Sequence, residues 1–254
     1  QDDPESSKTP LKRILLVIFT LDVHTAIPYL LYILKNVADT AEQDKIFTLL
    51  ESYIIRRQIC KKVIKNYSDL FTESLIGQRI LTYDALVEYL SNKKPYESLH
   101  MPYDAEIEDG FAGNSNLTAE KARGILYLLE SKLRDVAGSQ TVLHPFTKYT
   151  LEHLMPQKWE DNWEIPSGLN EVEEFEFKNN RNKVIATLGN MAIITQGLNS
   201  KASNNKWKKK LDGGLRDKAG DLLTMKDVVN KPNWDESTIA SRAEWLAGKA
   251  NEVW

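Results

Sequence analysis

The sequence contains a single cysteine, Cys60, among its 254 residues. One cysteine excludes an intrachain disulfide framework and a cysteine-rich zinc site, and it fits a reducing compartment. We expect Cys60 to pack in a hydrophobic core. Long apolar runs are also absent, because the run at residues 14–19 is soon followed by Asp22 and His24. This run is well short of the roughly 20 residues that cross a bilayer, so the sequence predicts no membrane span.

The charge shows no excess of one sign, since 33 basic and 36 acidic residues give a net charge of −3. This balance excludes a uniformly basic nucleic-acid binder, and a hydrophobic content of 42% indicates a globular chain rather than a disordered one. The charges are nevertheless segregated: residues 160–176 contain seven acids and no base, and residues 178–218 contain ten bases and two acids. The basic segment predicts either a local surface for nucleic-acid phosphates or a solvated helix face.

The apolar spacing of the first half is mainly helical and predicts an N-terminal helical bundle over residues 1–138. Thr25 and Thr118 are expected to cap helices, because a threonine side chain accepts bonds from the first free backbone N–H groups. In the third helix the apolar stripe continues to Val63 and Ile64, which we therefore expect in the core. The predicted helices cover residues 10–22, 26–38, 42–65, 83–91 and 118–136.

The segment at residues 93–116 combines prolines and glycines with a cluster of acids, and it predicts a solvated loop. A calcium site is the alternative, but the spacing lacks the glycine and the closing glutamate of an EF-hand loop. The acids of this segment are Asp104, Glu106, Glu108 and Asp109.

The pattern changes near Gly138, where a Gly-Ser-Gln turn predicts the start of a second domain over residues 139–254. Residues 146–151 and 191–195 are β-prone, and the stretch between them at residues 171–188 is helix-prone. The predicted fold class is therefore mainly α with a small α+β portion. The tail of this domain contains tryptophans that we expect to pack in a core, namely Trp234, Trp245 and Trp254.

An acid and a histidine, Glu152 and His153, stand side by side at the end of the first β-prone segment. Neighbours on a strand point to opposite faces, so both reach one site only where the strand ends and the backbone turns, as Pro156 favours. Asn190 precedes the second β-prone segment, and Asn199 follows nine residues later. In this order the four side chains favour a hydrolytic site, and the alternative is a chance Glu-His pair with an ordinary Gly-Asn turn.

At these residues the chain resembles the His-Asn-His, or ββα-metal, nucleases. Their pattern is an acid-His-x-x-Pro strand end, an Asn that opens the second strand, and a final His or Asn. The segments Leu-Glu-His-Leu-Met-Pro-Gln, Leu-Gly-Asn-Met and Ser-Asn-Asn-Lys-Trp-Lys-Lys-Lys resemble more narrowly the C-terminal nuclease domain of Gmr-type modification-dependent restriction enzymes. Related enzymes sense DNA phosphorothioation. A weaker resemblance to the helical region before that nuclease is carried by Ile-Pro-Tyr-Leu-Leu-Tyr and Ala-Arg-Gly-Ile-Leu.

The resemblance implies an HNH (ββα-metal) nuclease domain that nicks or cleaves DNA. It makes His153 the general base, and it makes Asn190 the residue that braces the loop and orients His153. Glu152 and Asn199 become the ligands of a single Mg²⁺ or Mn²⁺. Contacts with the DNA backbone are implied for Lys206, Lys208, Lys209 and Lys210.

The chain departs from the wider pattern at both implied metal ligands. Glu152 stands where Asp is common, which moves the carboxylate outward by one methylene, and Asn199 stands where His is common and is a weaker donor. Asn204 is an alternative ligand to Asn199. A zinc site with His144 and His153 is a further alternative, although no Cys or His-Glu-x-x-His helix accompanies the two histidines.

The resemblance also implies a biological setting. It predicts the effector of a bacterial anti-phage restriction system that acts in the cytoplasm on double-stranded DNA. Since the chain begins with Gln1, we expect it to be part of a longer polypeptide with an N-terminal sensor or NTPase domain. The alternative function is a non-catalytic module, in which the helical half mediates assembly and the second half only binds DNA.

Overall fold

The computed structural model describes residues 9–95, 97–139 and 141–254. The polar start of the chain, and Gln140 of the predicted boundary turn, lie outside the described residues. The described part forms eleven α-helices and one antiparallel pair of strands, which confirms a fold that is mainly α with a small β portion. No helix in this part combines the length and apolarity that a membrane span requires.

The chain divides into two compact units, of which the first extends to Ile107 and includes Trp254. Four helices dominate this unit: α1 (Pro10–Thr20), α2 (Ile27–Asn36), α3 (Thr40–Ile59) and α4 (Tyr83–Ser91). A 3₁₀ segment at His24–Ala26 and a π-helical segment at Asp69–Ile76 complete it. α1 packs against α3, and buried Arg13 donates to Glu51 Oε2 at 2.9 Å. Cys60 is half-buried, so the expected place in the core is not fully realised; its Sγ contacts the Glu106 carbonyl.

Two local predictions in the first unit are wrong. Thr25 lies inside the 3₁₀ segment, and no side chain caps α2. The helix predicted to reach residue 65 ends at Ile59, and Lys61 then adopts a left-handed φ of 55°. Because the chain turns there, Val63 and Ile64 leave the apolar face of α3 and are 64% and 43% exposed.

The acidic segment predicted as a loop contains a helix, α5 (Asp104–Gly113), so this prediction is also wrong. Asp104 and Glu106 lie in its first turn, where carboxylates interact favourably with the positive end of the helix dipole. Ile107 and Phe111 are one turn apart and fully buried. Dipole complementarity and this apolar pair outweigh the glycines that suggested a loop.

The second unit extends from Glu108 to Val253 and is built around the two strands. Thr118 caps its long helix by accepting a bond from the backbone N–H of Lys121, as predicted. Its later elements, in chain order, are α6 (Ala119–Val136), β1 (Tyr149–His153), α7 (Glu171–Ile185), β2 (Met191–Thr195), α8 (Gln196–Ala202), α9 (Trp207–Lys210), α10 (Arg216–Ala219) and α11 (Glu236–Val253).

The two strands pair in antiparallel register, with Tyr149 opposite Thr195 and His153 opposite Met191. α6 and α8 both pack on the strands, and Arg123 of α6 donates to the Tyr149 carbonyl at 3.0 Å. The order is therefore strand, long helical connection, strand, helix. α6 belongs to the same compact unit as the two strands, and this unit begins at Glu108, upstream of residue 138. The domain division predicted at residue 138 stays a prediction.

Candidate active site

The end of β1 lies beside an open groove of about 350 Å³. Glu152 and His153 line it from β1, Asn199 lines it from α8, and Ser203 and Asn204 follow α8. The chain thus brings three of the predicted site residues together, although two of them are neighbours on one strand. Because Asn204 lines the same groove, it remains an alternative to Asn199.

Glu152 is 6% exposed and forms a buried ion pair with Lys210, whose Nζ contacts Glu152 Oε1. Burial raises the pKa of the Glu152 carboxyl, and the Lys210 ammonium opposes that shift. Burial likewise lowers the pKa of Lys210, and the Glu152 carboxylate opposes that shift. We assign the ionised state to both partners, because each charge is the compensation for the other in a poorly solvated place.

His153 is the last residue of β1, and its Nε2 is buried without a hydrogen-bond partner among the described residues. Burial lowers the pKa of this imidazole to about 4, with a further contribution from the positive charge of Lys210. The side chain is therefore neutral at physiological pH and has a free acceptor or donor position. A neutral imidazole is the form that accepts a proton.

Asn190 is completely buried and makes four side-chain hydrogen bonds. Its Oδ1 accepts from the Met155 backbone N–H at 2.8 Å and from Trp234 Nε1 at 3.0 Å. Its Nδ2 donates to the carbonyls of Met155 and Ile185 at 2.8 and 3.0 Å. Asn190 thereby holds the turn after His153 by both backbone groups of Met155, and none of these four hydrogen bonds goes to the imidazole.

Asn199 is held by its amide nitrogen. Nδ2 donates to Thr150 Oγ1 and to the Leu151 carbonyl, both at 2.9 Å. Thr150 Oγ1 in turn donates to the Ile194 carbonyl across the sheet at 3.3 Å. With both amide hydrogens used on β1, Asn199 Oδ1 is the atom left to act as an acceptor or a ligand.

The basic residues of α9 and its cap divide into two groups. Lys206, Lys208 and Lys209 are exposed, as a phosphate-binding surface requires. Lys210 is 1% exposed, and its Nζ also donates to the His153 carbonyl at 2.8 Å. Lys210 therefore does not have the surface position that a DNA-backbone contact requires, and its predicted role needs correction: it faces the interior because it is the counter-charge of Glu152.

Two tryptophans connect α9 with the turn after β1: Trp207, and Trp234, which the sequence assigned only to packing. Trp207 stacks on Trp234 with ring centroids 5.2 Å apart, and its Nε1 donates to the Lys231 carbonyl at 2.9 Å. Trp234 donates to Asn190. A buried indole N–H usually needs a hydrogen-bond acceptor. Tryptophans in a predicted core therefore indicate that polar groups lie beside them, and this signal was present in the sequence.

A 3₁₀ turn at Leu188–Asn190 presents Asn190, and α11 supports this turn. Arg242 of α11 donates to the carbonyls of Gly189 and Met191 at 2.8 and 2.7 Å. A Cβ on Gly189 would lie 2.5 Å from the Ile239 carbonyl oxygen, so the turn and α11 approach more closely than a side chain allows. The glycine is required here by close approach.

Two strands, a following helix, and a groove with an acid, a neutral histidine and the fixed amide of Asn199 are elements compatible with a hydrolytic site. A family model of the C-terminal domain of GmrSD restriction endonucleases matches residues 101–249. The match covers more than half of the chain, and the chain therefore belongs to this family. It is a nuclease domain of the restriction-endonuclease type. No curated protein matches the chain significantly.

Proposed function

We propose that this chain is a metal-dependent DNA endonuclease of the His-Asn-His type, with His153 as the general base. The observation that carries the proposal is that Glu152, His153 and Asn199 line one groove. Among the described residues, no hydrogen bond is made to Glu152 Oε2, His153 Nε2 or Asn199 Oδ1. The succession of β1, β2 and α8 supports a ββα-metal arrangement, in which α7 is an insertion between the strands. Family membership supports DNA as the substrate.

The donor set suits a single Mg²⁺ or Mn²⁺. Lys210 occupies Glu152 Oε1, which leaves Oε2, and hydrogen bonding to β1 leaves Asn199 Oδ1. Both are hard oxygen donors, and no group of three or more His, Cys, Asp or Glu among the described residues is placed to hold a metal. The set therefore fits a cation that retains several waters and is bound by one carboxylate. When bound, such a cation stabilises the negative charge that develops on the phosphate.

The surroundings of His144 bear on the alternative of a zinc site with His153. His144 lies with its ring against Tyr149, at a centroid distance of 6.3 Å, and its carbonyl accepts a bond from Tyr127. Nothing in the described residues joins it to His153 as a ligand pair. We therefore propose oxygen ligands rather than histidines.

His153 has the chemistry of a base for the attacking water. It is neutral at physiological pH because burial and Lys210 lower its pKa to about 4. A base of low pKa is weak but is available over a wide pH range, and the transfer is helped if the water is itself acidified. The hydrogen bonds of Asn190 to Met155 fix the turn that follows His153 and so limit the movement of the strand end.

The exposed lysines supply the contact with the DNA backbone. Lys206 caps α9, and Lys208 and Lys209 lie on it, so their positive charges stand next to Trp207, which stacks on Trp234. Each lysine that neutralises a phosphate releases condensed counterions and makes binding depend on salt. We propose that the chain acts in this way as the effector of a bacterial anti-phage restriction system, together with an N-terminal sensor or NTPase domain.

A plasmid assay tests the proposal. Supercoiled DNA with Mg²⁺ or Mn²⁺ should convert to the open-circle or linear form, and EDTA, His153→Ala or Glu152→Gln should prevent the conversion. The exposed variant Lys226→Met, in a loop outside the groove, serves as the matched control and should cleave like the parent chain. Cleavage by His153→Ala at the parent rate contradicts the assignment. Salt-sensitive binding without cleavage under any divalent cation would instead favour a non-catalytic DNA-binding module.

A further inference from the structure

We propose that Lys210 is a positioning residue of the cleavage site, which fixes Glu152 and the end of β1 so that one carboxylate oxygen faces the groove. This inference rests on the proposed function, because it concerns the carboxylate that we assign to the metal. Nothing in the family match gives this lysine a role. The sequence itself suggested a different one, contact with DNA.

Burial separates Lys210 from the other lysines of the basic segment. Its side chain has no exposed area, whereas Lys208 and Lys209 on the same short helix are exposed. A lysine normally keeps its ammonium in water even when its stem is buried. An ammonium that is taken fully inside requires a charged partner and further hydrogen bonds, and Lys210 finds them in Glu152 and the His153 carbonyl.

The two acceptors of Lys210 belong to consecutive residues, Glu152 and His153, at the end of β1. Lys210 reaches both because it takes the side chain of Glu152 and the backbone of His153. One ammonium thus fixes the carboxylate rotamer and the carbonyl at the exact point where β1 ends. The ion pair with Lys210 also engages Oε1 of Glu152, so that one carboxylate oxygen, Oε2, is left for a ligand in the groove.

The helix that carries Lys210 is itself anchored. Trp207, three residues earlier, stacks on Trp234, which donates to Asn190. Asn190 holds the turn directly after His153 through Met155. The end of β1 is therefore held both by Lys210, at His153, and by Asn190, at Met155, and the two supports are connected through the paired indoles.

A double-mutant cycle tests this role in the 254-residue chain, with the variants Lys210→Met, Glu152→Gln and both together. Three quantities are measured: Mn²⁺ affinity by electron paramagnetic resonance, plasmid cleavage, and the salt dependence of DNA binding with Ca²⁺ in place of Mg²⁺. Removal of an outer support of a metal ligand typically costs about 10- to 100-fold in metal affinity or activity. We expect a loss of this size for Mn²⁺ affinity and cleavage in Lys210→Met, and no further loss when the same change is made in Glu152→Gln.

The salt dependence separates positioning from DNA contact. A lysine that neutralises a phosphate contributes about one unit to the slope of log affinity against log salt. Lys209→Met should reduce the slope by about one, and Lys210→Met should leave it unchanged. If Lys210→Met does not fold, the double variant, which removes both buried charges, and Lys210→Gln, which retains a donor, supply the comparison.

The outcomes distinguish the positioning role of Lys210 from the proposed nuclease function. Unchanged Mn²⁺ affinity in Lys210→Met, or a reduced salt slope, overturns the positioning role even if Glu152→Gln and His153→Ala are inactive. If Glu152→Gln retains full Mn²⁺ affinity and cleavage, the proposed function itself fails at this residue. An additive loss in the double variant also overturns the inference, since it would place the effect of Lys210 outside Glu152.

Discussion

Replacement of Asn190 by alanine tests how the turn after β1 is held. The side chain makes four buried hydrogen bonds, and alanine removes all of them while the Met155 N–H and carbonyl, the Ile185 carbonyl and the Trp234 N–H stay buried. A buried polar group that loses its partner costs about 1–3 kcal/mol. Relaxation lets some of the four find water, so we expect a loss of about 3–5 kcal/mol in the free energy of unfolding.

Urea unfolding of the second unit measures this loss. Trp159 and Trp234 are both buried there, so their fluorescence reports the transition. Asn230→Ala is the matched control, because Asn230 is exposed and its side chain makes one described hydrogen bond, from Nδ2 to the Lys226 carbonyl, so its loss should change stability by less than about 0.5 kcal/mol. If Asn190→Ala loses less than about 1.5 kcal/mol, the four bonds are not the support that we assign to them.

Further predictions concern the groove and its supports. His153 stays neutral in the folded chain until about pH 4, whereas the unfolded chain takes up this proton near 6.5, so protonation favours unfolding as the pH falls through this window. Relative to His153→Gln, the parent chain should lose up to about 3 kcal/mol between pH 7 and pH 4 in unfolding titrations, and parallel curves would refute the shifted pKa. Thr150→Val removes one of the two acceptors of Asn199 Nδ2 and should weaken Mn²⁺ binding up to about tenfold, with Thr150→Ser as the control that keeps this acceptor. Gly189→Ala forces a Cβ against the Ile239 carbonyl and should cost about 1–3 kcal/mol in thermal unfolding, whereas Gly197→Ala, with open space around it, should not.

Regular periodic segments were predictable because their information is local. The helix at residues 83–91 has its predicted bounds, and the helices predicted at residues 118–136 and 10–22 differ from the observed ones by one or two residues. The strand at Met191–Thr195 also has its predicted bounds, since β-branched and apolar residues fill it. The first strand begins and ends a few residues later than predicted, because a 3₁₀ turn at Phe146–Lys148 precedes it.

The errors occurred where local signals conflict. In α5, glycines and acids suggested a loop, yet Asp104 at the helix start and the Ile107–Phe111 pair favour a helix. The π-helical segment Asp69–Ile76 was not predicted, since its periodicity differs from that of an α-helix. In the third helix, the apolar stripe continues past the point where Lys61 turns the chain.

The site was predictable as a set of residue types but not as a set of contacts. The Glu-His pair and the two asparagines stand out by order and spacing, and the groove brings Glu152, His153 and Asn199 together. The burial of Lys210 follows from a contact with a residue 58 positions away, which no local pattern contains. Its neighbours Lys208 and Lys209 are also lysines, but their side chains are exposed.

The supports of the site extend to the last helix of the second unit, and this has a structural reason. Arg242 of α11 donates to the carbonyl of Gly189, in the turn that presents Asn190, and to that of Met191, the first residue of β2. Burial lowers the pKa of Arg242 only to about 9, so it remains a charged donor at neutral pH and its bonds are stronger than neutral ones. The site residues themselves lie between 150 and 210, but the backbone that orients them is fixed by a side chain more than thirty positions later. The supports of the site therefore reach into α11, and the family match likewise continues past the motif, to residue 249.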